Sequence, residues 1–325
     1  MRVLITGGAG FIGRHLTAAL ARRGDRVRIL DVVAPWEVAA DEPAVEYRRG
    51  SILDPDEVAA SIEHVDLVIH LAGIAEPLRY GSDPLGTLDV NLTGSLHVVR
   101  RCADRGVPIL FASTSEVYGV NPDLPWSEDA RRVLGPVSNV RWCYATAKAA
   151  VEHYLAACRT QLGLRYTTVR LFNAYGPGLS GRVVDTFVRR ALAGAPLVVH
   201  GSGGQTRCFC YIDDVVRAFV LITDGPELAG QTYNVGTTEP TRILDLAQTL
   251  IRLTGSASTV EYASHGSLYE GFEDIPQRQP DTSRIARELG WQPIVGLEDG
   301  LTRMVDSFRR LPPAACRREG DAHVR

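Results

Sequence analysis

The feature that most constrains the fold is the glycine-rich segment at residues 6–13, TGGAGFIG, close to the amino terminus. It follows a short apolar run, Arg2–Thr6, and opens an amphipathic stretch. A strand, a tight glycine turn and a helix in this order place backbone amides at the helix N-terminus, where they bind phosphate oxygens. The segment predicts a dinucleotide-binding turn, with cofactor contacts at Gly7, Gly10, Phe11, Ile12 and Gly13.

Short apolar runs alternate with amphipathic stretches through the first half of the chain. Runs rich in Val, Ile and Leu are typical of buried parallel strands, and a period near 3.6 residues is typical of the helices that connect them. The predicted strands are 2–6, 26–31, 65–70, 108–112 and 165–171, and the predicted helices are 11–23, 55–63, 87–105 and 144–161. We expect an α/β fold, a Rossmann-type doubly wound parallel sheet with a smaller α/β substrate-binding lobe.

The pattern changes after about residue 175, where Gly and Pro cluster at residues 176–178 and Gly again at 201–204. We expect residues 1–174 to form the dinucleotide-binding domain, with residues 212–240 partly returning to it. Residues 175–311 would mainly form the substrate-binding lobe. Residues 312–325 combine two prolines with mixed charge and no periodicity, which predicts a disordered tail.

The charge balance argues against a nucleic-acid-binding protein. Lys and Arg number 35 against 38 Asp and Glu, a net charge of −3, whereas neutralising phosphates requires a basic surface. No apolar run reaches the ~18 residues of a membrane-spanning helix, so we expect no membrane association. The 6 cysteines lack the spacing of metal ligands. They predict reduced thiols, no metal site and a cytoplasmic location.

An acidic residue, Asp31, ends the second predicted strand. A carboxylate at this point accepts hydrogen bonds from both ribose hydroxyls and repels a 2′-phosphate, so NAD is favoured over NADP. Other candidate cofactor contacts follow the third and fourth strands or lie in the helix at 87–105; they are Ser51, Ile52, Leu71, Ala72 and Asn91.

Tyr144 and Lys148 stand four residues apart on one predicted helix, so their side chains share a face. A free phenol has a pKa of about 10. A neighbouring ammonium group and a cationic nicotinamide would lower it, so that Tyr144 takes a proton from an alcohol. The segment STSEVYG at residues 113–119 follows a predicted strand. One of its hydroxyls would share the substrate proton with Tyr144.

Taken together, these segments resemble the extended short-chain dehydrogenase/reductase family of nucleotide-sugar enzymes, from residue 1 to about residue 310. The resemblance implies bound NAD, a UDP-sugar substrate and a homodimer in which helices 87–105 and 144–161 pair between subunits. Ser51 departs from the family pattern, which commonly has an acidic residue before the adenine contact, and Gly73 stands where alanine is usual.

Further segments point to decarboxylases within this family. IAEPLRY at 74–80 is similar to a loop of UDP-glucuronic acid decarboxylases, and RWCY at 141–144 resembles the decarboxylase domain of the bifunctional lipid A aminoarabinose enzyme. GSGGQTR at 201–207 and QRQPD at 277–281 are similar to UDP-xylose synthases. The resemblance implies that Glu116 and Arg278 act around the substrate carboxylate. It places the diphosphate near Asn173, Arg182 and Arg207, and the uridine near His200. The implied catalytic residues are Thr114, Glu116, Tyr144, Lys148 and Arg278, and the implied substrate-binding residues are Pro77, Tyr80, Asn173, Arg182, His200, Arg207 and Arg278.

Such a decarboxylase oxidises C4 of UDP-glucuronic acid, loses C6 as CO2, and reduces the ketone to UDP-xylose or releases the 4-keto pentose. The sequence leaves three alternatives open. A UDP-hexose 4-epimerase would use the same cofactor and Tyr144. A 4,6-dehydratase typically has an Asp before the Glu, where this chain has Ser115. A regulatory protein that senses NAD without turnover could share the fold.

Overall fold

The structure is a computed structural model that describes residues 1–33, 44–225, 229–264, 266 and 273–310. The tail expected at 312–325 lies outside these ranges. The strands are β1 Arg2–Thr6, β2 Arg26–Asp31, β3 Val45–Arg49, β4 Leu67–His70, β5 Ile109–Thr114, β6 Tyr166–Leu171, β7 Ala174–Tyr175, β8 Leu197–His200, β9 Thr206–Arg207, β10 Cys210–Tyr211, β11 Ala229–Val235, β12 Thr241–Arg242, β13 Val260–Ala263 and β14 Gln277–Arg278.

Eleven α-helices connect and cover the strands in the described residues. They are α1 Phe11–Arg22, α2 Pro55–Ile62, α3 Pro77–Ser82, α4 Pro84–Leu88, α5 Ser95–Arg105, α6 Cys143–Leu162, α7 Val183–Leu192, α8 Ile212–Asp224, α9 Ile243–Thr254, α10 Ser283–Leu289 and α11 Leu297–Arg310. Of two 3₁₀ turns, Ser115–Tyr118 follows β5 and Val140–Trp142 leads into α6.

The central sheet has seven strands in the order β11-β6-β5-β4-β1-β2-β3, and every neighbouring pair is parallel. Successive residues of β1 face opposite sides: Val3 and Ile5 pack toward α1 and α8, and Leu4 packs toward α2 and α5. Burial on both faces requires the continuous apolar strands that the sequence shows. The predicted α/β fold is therefore confirmed.

The strand order reverses beside β1, because the chain runs outward from β1 to β3 and then returns through β4 on the other side. In open parallel sheets, ligands bind at such a reversal, beyond the carboxyl ends of the strands. Strand β11 also joins this sheet, next to β6, whereas β7 and β10, β8 and β13, and β9 with β12 and β14 form small separate sheets. The division into a dinucleotide-binding domain and a smaller lobe stays a prediction.

The single helix expected at 87–105 is instead interrupted. A π-helical turn, Asp89–Gly94, lies between α4 and α5. Such a turn inserts an extra residue, and it is frequent at functional sites. Here it buries the Asn91 side chain, whose amide donates to the carbonyls of Ile74 and Thr87 at 2.8 Å each. The 3.6-residue period could not reveal this because the apolar pattern continues on both sides. No helix in the described part of the chain is long and apolar enough to cross a membrane.

Candidate active site

A cavity of about 360 Å³ opens beyond the carboxyl ends of β5 and β6. It is bordered by the start of α1 on one side and by the small sheets on the other. The structure brings together eleven of the residues predicted for the site, which line this cavity: Phe11, Ile12, Tyr80, Thr114, Glu116, Tyr144, Asn173, Arg182, His200, Arg207 and Arg278.

The glycine turn has backbone approaches that only glycine allows. Gly7 has φ +73°, and a Cβ there would lie 2.6 Å from the amide nitrogen of Ala72. A Cβ on Gly13 would lie 2.4 Å from the Gly7 carbonyl oxygen. Gly10 caps α1 without a side-chain hydrogen bond, and the first turn of α1 has no acidic residue. The helix N-terminus therefore keeps its amides and positive dipole end for phosphate oxygens, which fits a dinucleotide.

The carboxylate of Asp31 is fixed beside this turn. It accepts hydrogen bonds from the backbone amides of Ala9 at 2.9 Å and Val33 at 3.0 Å. The two bonds hold Asp31 at the carboxyl end of β2, where an acidic side chain meets the ribose hydroxyls of NAD. The Oδ1 atom of the fully buried Asn91 has no hydrogen-bond partner among the described residues. A buried acceptor left open in this way also fits a bound polar cofactor.

The other candidate cofactor contacts are placed less directly. Leu71 and Ala72 follow β4 beside the glycine turn, and the amide of Leu71 donates to the Thr6 carbonyl at 2.9 Å. The amide of Ser51 donates to the carboxylate of Glu57 at 2.6 Å, so Glu57 supplies an acidic group next to this position. Ile52 is buried and faces Gly94. These four contacts stay predictions.

Tyr144 lies near the start of α6 with 6% of its surface exposed. Its ring stacks on Tyr80, with centroids 5.1 Å apart and an interplanar angle of 12°. Thr114, the last residue of β5, lines the same cavity as Tyr144. Burial raises the pKa of Tyr144 to about 12. The lowering expected from the sequence is therefore not a property of the chain alone, because desolvation of the phenolate outweighs the nearby charges.

Lys148 is buried one helical turn after Tyr144. Its ammonium donates to the carbonyl of Ala112 at 3.1 Å and lies 4.8 Å from the ring centroid of Phe111. Burial lowers the pKa of Lys148 to about 8. The same face of the sheet holds a residue that the sequence reading missed, His70, between the hydroxyls of Thr6 at 2.6 Å and Ser95 at 2.9 Å.

Glu116 forms the charged centre of the site. It is 6% exposed, and Arg141 and Arg278 each approach one of its carboxylate oxygens at 2.5 Å. Burial raises the pKa of Glu116, but the two guanidinium groups outweigh it and hold the pKa at about 2. Glu116 is therefore ionised at neutral pH, and the three side chains together carry one excess positive charge.

A row of polar groups extends from Glu116 toward the small sheets. Arg207 donates to the Asp274 carboxylate at 2.6 Å and to the Ile275 carbonyl at 2.8 Å. Arg182 donates to the carbonyl of Ala75, and Asn173 adopts φ +34° and donates to the Cys208 carbonyl at 3.3 Å. His200 lies at the exposed end of the row, 3.3 Å from the Ser264 carbonyl.

One predicted substrate contact is not brought into the cavity. Pro77 is the first residue of α3. This position suits proline because an amide hydrogen, which proline lacks, would have no acceptor there within the helix. Pro77 lies outside the cavity lining, and its place in the sequence positions the helix that carries Tyr80. Arg141, which contacts Glu116, is a site residue that the sequence did not predict. The available signal is a basic residue three positions before Tyr144 in the segment RWCY.

Comparison with known proteins agrees with this geometry. Residues 3–236 match the NAD dependent epimerase/dehydratase family. The chain is 35% identical over 321 residues to a UDP-N-acetyl-alpha-D-glucosaminuronate decarboxylase from Bacillus cytotoxicus, covering 95% of this chain and 98% of the relative. It is 34% identical over 312 residues to UDP-glucuronic acid decarboxylase 1 from Xenopus tropicalis, covering 95% and 72%.

Among solved structures, the chain is similar to UDP-glucose 4-epimerase from Thermotoga maritima with UDP-glucose. The two share 30% identity with a TM-score of 0.86, covering 95% of this chain and 99% of the epimerase. The predicted cofactor is confirmed by the family match and by the glycine turn that fits it. The chain belongs to the NAD dependent epimerase/dehydratase family.

Proposed function

We propose that this enzyme is a UDP-glucuronic acid decarboxylase that converts its substrate to UDP-xylose. The observation that carries the proposal is the buried Glu116 held between Arg141 and Arg278 beside Tyr144. The three side chains together carry one excess positive charge, which suits the C6 carboxylate of a uronic acid. A neutral hexose has no group to balance this charge. The relatives named as decarboxylases of UDP-linked uronic acids support the same conclusion.

Binding of the nucleotide would use the second lobe. The planar guanidinium groups of Arg182 and Arg207 suit diphosphate oxygens, which can replace the carbonyl and carboxylate oxygens that these groups now contact. Asn173 supplies an amide donor at the boundary between the lobes. The imidazole of His200, at the far end of the cavity, would border the uridine.

Proton removal from the C4 hydroxyl is assigned to Tyr144, with Thr114 sharing the hydrogen bond. The glycine turn and Asp31 would hold NAD⁺, which would supply hydride acceptance and return at C4 and a positive charge that favours the phenolate. Lys148 supplies a second positive charge on the same helix face. Because burial alone keeps the phenol protonated, the base forms only when these charges act together.

Loss of CO2 follows from the chemistry of the oxidised sugar. A ketone at C4 is β to the C6 carboxylate, so the C5–C6 bond breaks and its electrons form an enolate with its charge on the C4 oxygen. Tyr144 and Thr114, which already contact that oxygen, stabilise the enolate by hydrogen bonds. Protonation of C5 restores the ketone, and reduction at C4 then gives the pentose.

The charge state of Glu116 argues against a 4,6-dehydratase. That reaction needs a general acid to expel the C6 hydroxyl. Glu116 carries no proton at neutral pH because its pKa is about 2, and the preceding Ser115 is buried and has no acidic proton to give. A UDP-hexose 4-epimerase stays the main alternative, since the structurally similar Thermotoga protein has that activity in its name.

The deciding experiment compares three substrates with the NAD-loaded protein. UDP-glucuronic acid, UDP-N-acetylglucosaminuronic acid and UDP-glucose are incubated separately, and CO2 and sugar products are measured. We expect CO2 and UDP-xylose from the first. CO2 from UDP-N-acetylglucosaminuronic acid alone would identify that acetamido sugar as the substrate. Conversion of UDP-glucose to UDP-galactose, with no CO2 from either acid, would replace the proposal by an epimerase.

We also infer a cytoplasmic homodimer in which α5 and α6 pair with the same helices of a second copy. Light scattering after gel filtration should give twice the mass of one chain. A mass of one chain at micromolar concentration would contradict this arrangement.

A further inference from the structure

Arg141 is more deeply buried than the role of a surface arginine would allow. It is 2% exposed and lies in the 3₁₀ turn Val140–Trp142, which leads directly into α6 and Tyr144. One of its terminal nitrogens lies 2.5 Å from Glu116, and its Nε donates to the carbonyl of Glu273 at 3.1 Å. A charge is retained at such a depth only when it has partners, and here the partner is the central carboxylate of the site.

The two arginines on Glu116 divide its oxygens between them. Arg141 contacts Oε2 from within the protein, where its guanidinium lies 5.2 Å from the Trp142 ring centroid and 6.0 Å from that of Tyr80. Arg278 contacts Oε1 from β14 and lines the cavity, with its side chain 11% exposed. Arg141 is therefore enclosed, whereas Arg278 is within reach of a ligand.

This difference matters when a uronic acid binds. A substrate carboxylate in the cavity competes with Glu116 for Arg278, because both are anions that suit the same guanidinium. If Arg278 were the sole partner of Glu116, its transfer to the substrate would leave a buried unpaired carboxylate beside a second one. That arrangement is strongly unfavourable, so the uronic acid would bind poorly.

We propose that Arg141 is a positioning residue that holds Glu116 in place through one oxygen and thereby allows Arg278 to pair with the carboxylate of the substrate. The inference rests on the proposed function and adds a specificity device to it. Arg141 acts through Glu116, and the substrate contact belongs to Arg278. The assignment predicts that removing the charge at position 141 impairs uronic acids selectively.

The nearby Trp142 provides a control for structural effects. Its Nε1 donates to the Glu273 carboxylate at 3.2 Å, so Trp142 and Arg141 tether the same residue of the segment that leads to Arg278. Trp142→Phe removes one of these tethers without changing any charge near Glu116. Arg141→Met removes a tether and the charge together, and Arg141→Lys keeps the charge.

The test measures how affinity for UDP-glucuronic acid and for UDP-glucose depends on pH, by calorimetry with the NAD-loaded protein. In Arg141→Met, Glu116 keeps one arginine partner, so its pKa rises from about 2 toward the acid range used. Protonated Glu116 releases Arg278, and uronate binding should become stronger as the pH falls from 8 to 5. The charged or titratable groups that face Glu116 from the surrounding elements are Tyr80, Arg141, Tyr144, Arg207 and Arg278.

At pH 8 we expect Arg141→Met to weaken UDP-glucuronic acid binding at least tenfold and UDP-glucose binding less than threefold. At pH 5 most of the loss should be recovered. Arg141→Lys should stay within about threefold of the wild type at both pH values, and Trp142→Phe should show no pH-dependent loss. Because binding is measured, this result does not depend on whether CO2 is released, which separates it from a failure of the proposed function.

Two results would overturn the inference. In the first, Arg141→Met binds both sugars equally less well at every pH. In the second, Trp142→Phe reproduces the uronate-selective loss. If Arg141→Met fails to fold, the double variant Glu116→Gln with Arg141→Met, which removes both charges of the pair, is compared with Glu116→Gln. With no carboxylate left to hold, the added methionine should change the ratio of the two affinities less than twofold, and a larger change would also reject the role.

Discussion

Two glutamates in this enzyme have nearly the same charged surroundings but serve different ends. Glu116 and Glu152 are 6% and 7% exposed, and each is bound by two arginines. Around Glu152 those arginines are Arg132 and Arg170. Ser113 of β5 contacts Glu152, and Glu116 lies in the turn directly after β5, so a comparison shows what makes one cluster a candidate reaction centre.

The difference lies in what the arginines contact next. Arg170 donates to the Tyr118 hydroxyl at 2.8 Å and to the Glu128 carbonyl at 2.7 Å, in addition to Glu152. The Ser113 hydroxyl donates to Glu152 at 2.5 Å. The Glu152 cluster is thus satisfied by the protein itself. Glu152, Arg132 and Arg170 line a separate cavity of about 260 Å³. Arg278, in contrast, lines the cavity that holds Thr114 and Tyr144, so the Glu116 cluster can exchange a partner with a ligand beside the phenol.

The largest effect should come from the phenol beside the Glu116 cluster. Tyr144→Phe removes the proton acceptor, and general base catalysis contributes about 10²- to 10⁴-fold, so turnover of UDP-glucuronic acid should fall by that factor. Tyr118→Phe is the matched control, because the Tyr118 hydroxyl belongs to the Glu152 cluster. It should lower the unfolding temperature and leave turnover within about threefold. Full activity of Tyr144→Phe would remove this residue from the mechanism.

The second prediction exchanges each glutamate for its amide. Both substitutions leave buried guanidinium groups without a carboxylate, which lowers the unfolding free energy by ~3–5 kcal/mol. Turnover should separate them. Glu116→Gln should lower CO2 release about tenfold or more, whereas Glu152→Gln should lower it less, and only through Lys148, whose pKa the Glu152 carboxylate raises. Denaturant unfolding and CO2 release are measured on the same samples, and equal turnover of the two variants would contradict the comparison.

The third prediction uses the pH dependence of stability to distinguish the charged Glu116 from His70, which is buried and neutral. Burial lowers the pKa of His70 to about 3 from its ordinary 6.5, so unfolding takes up a proton below pH 6.5. The contribution of neutral His70 to the free energy of unfolding is fully present above pH 6.5 and falls by up to ~1.4 kcal/mol per pH unit below it. Glu116, with its pKa lowered from 4.5 to about 2, adds its loss only below pH 4.5.

The free energy of unfolding is measured by urea unfolding from pH 7.5 to pH 3.5. The wild type should lose ~3 kcal/mol from His70 by about pH 4.5. His70→Gln should flatten the curve between pH 6.5 and pH 4.5 and leave the steeper loss below pH 4.5 unchanged. An unaltered slope in His70→Gln would show that His70 does not stay neutral in the folded protein.

The smallest effect on stability is expected at a carboxylate that has amide partners. Asp31 accepts from the backbone amides of Ala9 and Val33. Asp31→Ala should therefore lower the unfolding free energy by only ~2 kcal/mol, because each of the two hydrogen bonds contributes about 1 kcal/mol. Its effect should appear in the preference for NAD over NADP, which we expect to fall about tenfold in fluorescence titrations. An unchanged preference would leave Asp31 with a structural role alone.

Much of the cofactor side could be read from the sequence because its determinants are local. The glycine turn, the following helix and the Tyr144–Lys148 spacing are fixed by neighbours in the chain, and one helical turn suffices to place the last two residues together. The interrupted helix at 87–105 was missed for the same reason. A π-helical turn leaves the apolar pattern nearly unchanged, and its Asn91 side chain donates to the carbonyl of Ile74, which is 17 positions away in the chain.

The sequence by itself therefore determined the parallel sheet, the NAD site and the residue types of the reaction centre. Only the tertiary structure decided which charges meet. Arg278 lies 162 positions from Glu116, and Arg141 arrives from a third segment. The structure also decided the direction of the Tyr144 pKa shift, because burial depends on every element packed around the ring. Pairing and desolvation are properties of packed surfaces, and distances along the chain do not encode them.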